Sequence, residues 1–270
     1  MMQFLAQFNP DPVFFKAGPI TLYWYGLILV AAMIGGIMSV LSLGKRYGLP
    51  VDRIFDIAFW LIVWGIVGAR FYHVFLEYDY YINQPIAIFK LWQGGLAIHG
   101  AILAGIGALI LLARKYRLDF WQMASILAVG LSLGQAIGRW GNYFNQELFG
   151  YPTTLPWAIA IEPKNRPLEF AMNKTFHPVF LYESIGCLVI FLFLSYFHRR
   201  FMREKRADYK IIFLIYLGMY AILRFFTESM RVDPAHEILG LRFPQVVSLI
   251  IVVPIAFVML KRIYKKSRQS

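Results

Sequence analysis

The sequence predicts an all-α, polytopic membrane protein with about seven transmembrane helices and a small extracytoplasmic loop region. Of the 270 residues, 59% are hydrophobic and only 16% are charged. Soluble domains carry about 25% charged residues, so a soluble fold of this length could not bury so much apolar surface. In addition, seven apolar segments each come near the length that crosses a bilayer. One integral-membrane domain is therefore expected over residues 1–270.

The predicted spans follow one another along the chain, with the usual boundary tolerance of a few residues. They lie at about 19–42, 54–75, 96–113, 120–138, 179–197, 211–227 and 244–260. Glycines recur in several of them, and we expect most of these glycines to serve close helix packing. Residues 1–18 contain Asp11 and Lys16 and no small-residue cleavage site, so the first span is expected to act as the insertion signal.

Most basic residues lie in the loops on one side of the predicted membrane. Of the 27 Lys and Arg residues, 17 follow the first, third, fifth and seventh predicted spans. The positive-inside rule places those segments in the cytoplasm, which puts the N-terminus outside and the C-terminus inside. The segments 139–178 and 228–243 would then face outward. Because membrane topology accounts for the net charge of +12, no nucleic-acid partner is expected.

Five arginines break this pattern, because they lie in or near spans on the predicted outer half: Arg70, Arg139, Arg224, Arg231 and Arg242. For Arg70 and Arg242, ion pairing between helices or snorkelling to the headgroups would explain the position as well as binding of a ligand would. Polar residues cluster around Arg139 and Arg224, which favours a ligand there.

The most polar of these surroundings is the run Gly138–Gly150, which begins where the apolar segment 120–138 ends. It reads Gly-Arg-Trp-Gly-Asn-Tyr-Phe-Asn-Gln-Glu-Leu-Phe-Gly. Charged and amide side chains at membrane depth are costly unless they line a cavity, pair with each other or bind a ligand. The run therefore suggests a site for an anionic ligand.

Four further patches contain groups with suitable chemistry. His99 stands among glycines at the start of the third span, where it could transfer a proton, although a hydrogen-bonded interfacial histidine is an alternative. Tyr220, Arg224 and Glu228 recur every four residues, so they share one helix face. The other two patches are Tyr23-Trp24-Tyr25-Gly26, which is also typical of an aromatic belt, and His177-Pro178-Val179-Phe180-Leu181-Tyr182-Glu183.

Other kinds of site are not indicated. The sequence has no convincing metal-ligand spacing, no Walker loop and no nucleophile elbow, so neither a metal nor another cofactor is expected. The single cysteine, Cys187, excludes an internal disulfide and is expected to be a small core residue. Arginine binds phosphate in a bidentate way, and phosphate in the outer half of a membrane belongs to a phospholipid headgroup.

The sequence resembles the prolipoprotein diacylglyceryl transferase family. The run Gly138–Gly150 is similar to the family signature Gly-Arg-x-Gly-Asn-Phe-x-Asn-x-Glu-x-x-Gly, with Tyr143 where phenylalanine is usual. The other four patches also resemble the family in the same order, although Phe180 stands where many members have glutamine. The resemblance covers nearly the whole chain.

The resemblance implies a reaction and two substrates. The enzyme would transfer the diacylglyceryl group from phosphatidylglycerol to the lipobox cysteine of a preprolipoprotein in the bacterial plasma membrane. It would form a thioether and release glycerol 1-phosphate, as the first step of lipoprotein maturation. A lipid transporter or flippase, or a structural membrane scaffold, are the alternatives. Arginines along a path across the bilayer would favour transport, and the gathered polar residues argue against a scaffold.

The resemblance also implies roles for the matching residues. His99 is the candidate base for the acceptor thiol, and Arg139 and Arg224 are the candidate phosphate ligands. The residues expected to complete the substrate site are Tyr25, Asn142, Asn145, Glu147, Gly150, Tyr220 and Glu228.

Overall fold

A computed structural model of the protein describes residues 10–18, 20–204 and 208–267. Its long helices are α1 (Trp24–Arg46), α2 (Val51–Leu76), α4 (Ile98–Tyr116), α5 (Phe120–Asn145), α6 (Val179–Glu204), α7 (Tyr209–Ser229) and α8 (Phe243–Ser267). Seven helices of the described chain are long and apolar enough to cross a membrane, which confirms the predicted fold class. The basic residues Lys205, Arg206 and Arg268, which contributed to the charge count, lie outside the described residues.

The shorter elements lie between and before these helices. A short helix, α3 (Tyr78–Asn83), follows α2, and 3₁₀ turns lie at Pro85–Phe89, Leu91–Gln93, Pro163–Asn165 and Leu168–Phe170. The strands form three separate antiparallel pairs. They are β1 (Val13–Ala17) with β2 (Ile20–Tyr23), β3 (Ile159–Ala160) with β4 (Thr175–Phe176), and β5 (Glu237–Ile238) with β6 (Leu241–Arg242).

Four predicted span boundaries differ clearly from the helix ends. The fifth and seventh spans were expected to end at 197 and 260, but α6 and α8 continue through Glu204 and Ser267. The first span was expected to begin near residue 19, but β1 and β2 form a hairpin and the helix begins at Trp24. The fourth span was expected to end at residue 138, but α5 continues through Asn145. The first half of the Gly138–Gly150 run is therefore helical, and the predicted outer segment 139–178 begins with the last two turns of α5.

The described chain divides into two compact units, which are Met1–Met38 with Ala128–Ser270, and Ser39–Leu127. In the unit Ser39–Leu127, α2 and α4 pack closely where Gly68 meets Gly100. A Cβ atom on either glycine would collide with backbone of the other helix. The packing role expected for the glycines is thus confirmed at this crossing. At Gly65, Gly105 and Gly107, by contrast, an added Cβ would meet open space.

In the other unit, α1 approaches α5 closely at Gly36, where an added Cβ would lie 3.0 Å from the carbonyl oxygen of Gly130. The segment between α5 and α6 has a small core of its own, to which β3 and β4 contribute. Its buried members are Tyr143, Phe149, Ile159, Ile161, Phe176 and Phe180. This core fixes the segment on the ends of α5 and α6.

Candidate active site

The Gly138–Gly150 run divides into a helical half and a turn. Arg139 and Asn142 lie in the last turns of α5, and the chain then turns through Gln146 and Leu148, whose φ angles are 52° and 57°. The turn returns Glu147 to the helix end, where its Oε1 accepts hydrogen bonds from Asn142 at 2.8 Å and from Asn145 at 3.5 Å. The two asparagines and the glutamate named by the sequence therefore form one hydrogen-bonded group.

The start of α1 packs on this helical half. An added Cβ at Gly141 would lie 2.8 Å from Cδ2 of Tyr25, so the missing side chain makes room for the tyrosine ring. Trp24 stacks on Phe144 with ring centroids 4.9 Å apart. The predicted site residue Tyr25 is thus placed beside the last turns of α5.

Glu183 brings the two candidate phosphate ligands together. The Nε of Arg139 lies 3.1 Å from Oε2 of Glu183, and Nη1 of Arg224 lies 3.1 Å from its Oε1. The Glu183 side chain is only 1% exposed, whereas the two arginine side chains keep 20% and 19% of their surface exposed. One buried carboxylate therefore holds two arginines that remain partly accessible.

The sequence-based site did not include Glu183. Its motif was noted, but the residue was given no role, because nothing in the sequence showed which side chain it faces. The signal that could have found it is a carboxylate in the second turn of an apolar span, since such groups are costly at membrane depth unless paired.

Glu228 continues this set of ion pairs. Its Oε2 lies 2.5 Å from Nη2 of Arg224, and its Oε1 lies 2.9 Å from Nε of Arg242. Arg231 is 3.6 Å from Glu228 and pairs more closely with Asp233, at 2.7 Å. We call the whole set the arginine–carboxylate cluster. It comprises Arg139, Glu183, Arg224, Glu228, Arg231, Asp233 and Arg242.

The cluster has four guanidinium groups and three carboxylates, so it carries one excess positive charge when all are ionised. The predicted common face of Arg224 and Glu228 is confirmed by their contact one helical turn apart. Tyr220 lies one turn before Arg224 in α7 and interacts with Arg139. For Arg242, ion pairing or snorkelling was considered beside a ligand, and its contact with Glu228 favours ion pairing.

Arg70 differs from the cluster. It lies in the unit Ser39–Leu127 and donates hydrogen bonds to the backbone carbonyls of Ala87, Ile88, Gly94 and Gly95. Its guanidinium also lies over the Tyr81 ring, 5.1 Å from the centroid. The contacts that the described residues make with Arg70 are thus backbone carbonyls and a tyrosine ring, in place of the ion pair considered for it. The residue instead fixes the segment that leads to α4.

His99 is the second residue of α4, in the same unit as Arg70. The start of α4 is tied to α2 by a hydrogen bond from the backbone N–H of Ala97 to the carbonyl of Ala69, at 3.1 Å. The His99 ring lies beside Tyr72, with centroids 6.0 Å apart. The backbone around His99 is thus held firmly at the end of the α2–α4 pair.

Gly150 stands where three segments meet. Its N–H donates to the carbonyl of His177 at 2.9 Å, and an added Cβ would lie 2.7 Å from the carbonyl oxygen of Met230. A side chain larger than hydrogen would push these segments apart. The contact therefore explains why glycine is needed here on packing grounds.

A chain of three side chains supports the segment before α6. The indole N–H of Trp157 donates to the Tyr182 hydroxyl at 2.8 Å, and that hydroxyl lies 3.1 Å from Nδ1 of His177. In the neutral ring with its proton on Nε2, Nδ1 accepts from the hydroxyl while the hydroxyl oxygen accepts from the indole. Partial burial lowers the pKa of His177, in agreement with a neutral ring.

Two further expectations can be compared with the structure. Cys187 is fully buried in α6, as expected of a small core residue. Within the described ranges, no group of three or more His, Cys, Asp or Glu side chains could hold a metal ion.

Comparison with known proteins identifies similar sequences. The family model of prolipoprotein diacylglyceryl transferase matches residues 12–261. A protein of Trichormus variabilis is 43% identical over 89% of this chain and 86% of its own length. A protein of Nostoc sp. is 42% identical over 89% and 85%, and one of Synechocystis sp. is 40% identical over 92% and 88%. All three are named phosphatidylglycerol–prolipoprotein diacylglyceryl transferase.

Proposed function

We infer the function from one premise: this chain belongs to the prolipoprotein diacylglyceryl transferase family. It is a multi-pass membrane transferase, and its reaction is the first step of lipoprotein lipidation. Its substrates are phosphatidylglycerol and a prolipoprotein, as the names of the relatives specify. We propose that residues 1–270 serve this reaction as a single transferase domain in the bacterial plasma membrane.

The proposed reaction is a displacement at the carbon of the diacylglyceryl group that bears the phosphate. The lipobox cysteine sulfur forms a bond to this carbon while the carbon–oxygen bond to the phosphate breaks. Glycerol 1-phosphate leaves with the bonding electrons, and the product is a thioether. Because the thiolate is the reactive form of cysteine, a base must take the thiol proton.

We propose that Arg139 and Arg224 bind the phosphate while Glu183 holds them in place. The observation that carries this proposal is that two partly accessible guanidiniums share one buried carboxylate. Arg139 meets Glu183 through Nε. The two guanidiniums remain partly accessible and could donate to a phosphate whose negative charge grows as the bond breaks.

The remaining candidates are proposed to shape the substrate site around these arginines. The hydrogen-bonded group of Asn142, Asn145 and Glu147 would orient the arginines or the glycerol. Tyr25 and Tyr220 would border the site, because one packs at Gly141 and the other interacts with Arg139. The proposed part of Glu228 is to hold Arg224, and that of Gly150 is to let the surrounding segments meet.

His99 is the proposed base. The carboxylates that could compete for this role are already engaged, because Glu228 is paired with arginines and Glu147 accepts hydrogen bonds from asparagines. An imidazole accepts a proton near neutral pH. The chemistry of its side chain therefore supports His99 as the base.

The decisive experiment supplies the purified protein with phosphatidylglycerol and a lipobox peptide and measures glycerol 1-phosphate. Release that requires the peptide cysteine is expected. A cysteine-to-serine peptide is the matched control, and it should give no product. A lipid transporter or a structural scaffold would release no glycerol 1-phosphate with either peptide, so that result would contradict the transferase.

We further propose that the N-terminus lies outside and the C-terminus in the cytoplasm. The basic residues Lys45 and Arg46 end α1, and Arg114 and Lys115 end α4, so their charge lies at helix ends that would face the cytoplasm. A reporter fused after Ser270 is expected to be active only in the cytoplasm. Activity restricted to the outside would reverse the proposed orientation.

A further inference from the structure

The hairpin of β1 and β2 has two different faces. Its register pairs Phe15 with Leu22 and Ala17 with Ile20. Paired residues, and residues two apart, project to the same side of a sheet, so these four apolar side chains share one face. All four are exposed, with Phe15 at 54%, Ile20 at 62% and Leu22 at 43%. One whole face of the hairpin is therefore apolar and is not covered by any part of the chain that the structure describes.

The opposite face is polar in part and partly covered. The register pairs Lys16 with Thr21 and Val13 with Tyr23 on this side. Val13 and Thr21 are half-buried, whereas Tyr23 is 52% exposed and Lys16 is exposed near the tip of the hairpin. The hairpin is thus amphipathic, with one wholly apolar face and one face that carries its polar side chains.

Such a hairpin is poorly suited to water. A two-stranded hairpin is marginally stable there, and exposed apolar area adds an unfavourable hydration free energy. Here β2 ends at Tyr23 and the span α1 begins at the next residue, Trp24, without a connecting loop. The backbone N–H of Trp24 also donates to the carbonyl of Pro12, at 3.0 Å. The hairpin therefore lies where this helix enters the membrane.

We propose that the hairpin is an interfacial anchor whose partner is the lipid surface. The face formed by Phe15, Ala17, Ile20 and Leu22 lies in the boundary between headgroups and acyl chains, and Lys16 faces the water. Amphipathic elements with this division of side chains bind the membrane interface by burying their apolar face. The proposal requires α1 to be a span and does not depend on the transferase reaction.

The anchor would also fix the level of the candidate active site. Trp24 directly follows the hairpin and stacks on Phe144 of α5. Phe14, the extra residue of the irregular β1 register, packs edge-on against the same Trp24 ring at 4.6 Å. The helix that carries Arg139 is thus linked through two aromatic contacts to an element resting in the leaflet.

The test measures the depth of each face. The variants Phe15→Cys and Lys16→Cys are made in a Cys187→Ser background and labelled with the same environment-sensitive fluorophore. They are placed in nanodiscs of phosphatidylethanolamine and phosphatidylglycerol that carry a nitroxide quencher at the headgroup–acyl boundary. Iodide serves as the quencher in water. Since the two sites are neighbours on one exposed strand, Lys16→Cys is the matched control for Phe15→Cys.

We expect the lipid quencher to act several-fold more strongly at position 15 than at position 16, with iodide showing the reverse order. Equal access of iodide to both labels would place the apolar face in water and overturn the proposal. A label at position 15 that neither quencher reaches would mean that a second copy or another protein covers the face. Equal lipid quenching at both sites would overturn the assignment of faces.

Discussion

Replacing Glu183 by glutamine removes one negative charge between Arg139 and Arg224 while keeping the size of the side chain. In the native structure each carboxylate oxygen lies 3.1 Å from one guanidinium nitrogen. Glutamine can accept a hydrogen bond from one arginine, but its amide nitrogen would face the other guanidinium without an acceptor. We therefore expect at least one of the two arginines to leave its position.

The size of the effect follows from the burial of the three side chains. Removing one partner of a buried ion pair costs about 3–5 kcal/mol, because the remaining charge stays unpaired. The two arginines keep 20% and 19% of their side chains exposed and are not fully buried, so the lower end applies. If about 2.7 kcal/mol of this is lost in the transition state, kcat/KM falls about 100-fold. Glu183→Asp keeps the charge but is one methylene shorter, so its kcat/KM should lie between that of the native protein and that of Glu183→Gln.

The assay is the initial rate of glycerol 1-phosphate release at varied phosphatidylglycerol, with a fixed lipobox peptide. Glu169→Gln is the matched control, because it neutralises an exposed carboxylate of the same unit outside the arginine–carboxylate cluster. The control should keep normal kcat/KM. Near-normal kcat/KM in Glu183→Gln would refute the reasoning, since the arginines would then need no shared carboxylate.

Three further predictions concern Arg139 with Arg224, His99 and His177. Arg139→Ala and Arg224→Ala should insert into the membrane normally but lose most turnover, because each removes a charge-assisted contact of about 1.5–3 kcal/mol. Lysine at either position should restore little activity, and normal turnover of the alanine variants would place the phosphate elsewhere. His99→Gln should slow the reaction by ~10²–10⁴-fold, and the loss should be smaller at high pH, where the acceptor thiol ionises unaided. A pH-independent loss with weaker lipid binding would make His99 an orienting residue and leave Tyr25, Glu147 or Glu228 as the base. For His177, burial lowers the pKa, so its contribution to stability is present above the unfolded value of about 6.5 and is lost as pH falls through the folded value. The hydrogen-exchange protection factors of residues 146–178, corrected for the intrinsic pH dependence of exchange, should fall with acid, and an unchanged acid profile in His177→Gln would contradict this.

The spans could be predicted because hydropathy over about 20 residues is a local property of the chain. Their ends were predicted less well, for a local reason at the start of the first span and for a non-local reason at the end of α5. At the start, residues 13–23 look as apolar as the span that follows. The alternation at Phe15-Lys16 and Thr21-Leu22 and the turn signal Gly18-Pro19 favoured a hairpin, and these signals were missed. At the end of α5, Gly141 continues the helix while packing on Tyr25.

The candidate site shows the same division. The helical period was enough to place Arg224 and Glu228 on one face, because their contact is between residues one turn apart. The pairing of Glu183 with Arg224 joins residues 41 positions apart on two helices, and no local pattern in one sequence determines it. Glu183 was therefore left without a role, although it connects the two arginines that were singled out.

The hydrogen bonds of Arg70 have a consequence for which substitutions this part of the chain can accept. At residues 87 and 88 the guanidinium binds main-chain oxygens, so it makes no demand on the side chains of Ala87 and Ile88 beyond the space they occupy. Gly95 is different, because its φ of 75° and the nearness of Arg70 Nη1 leave no room for a Cβ. Saturation mutagenesis should therefore find positions 70 and 95 intolerant, while the Ile88 position between them accepts residues of varied chemistry.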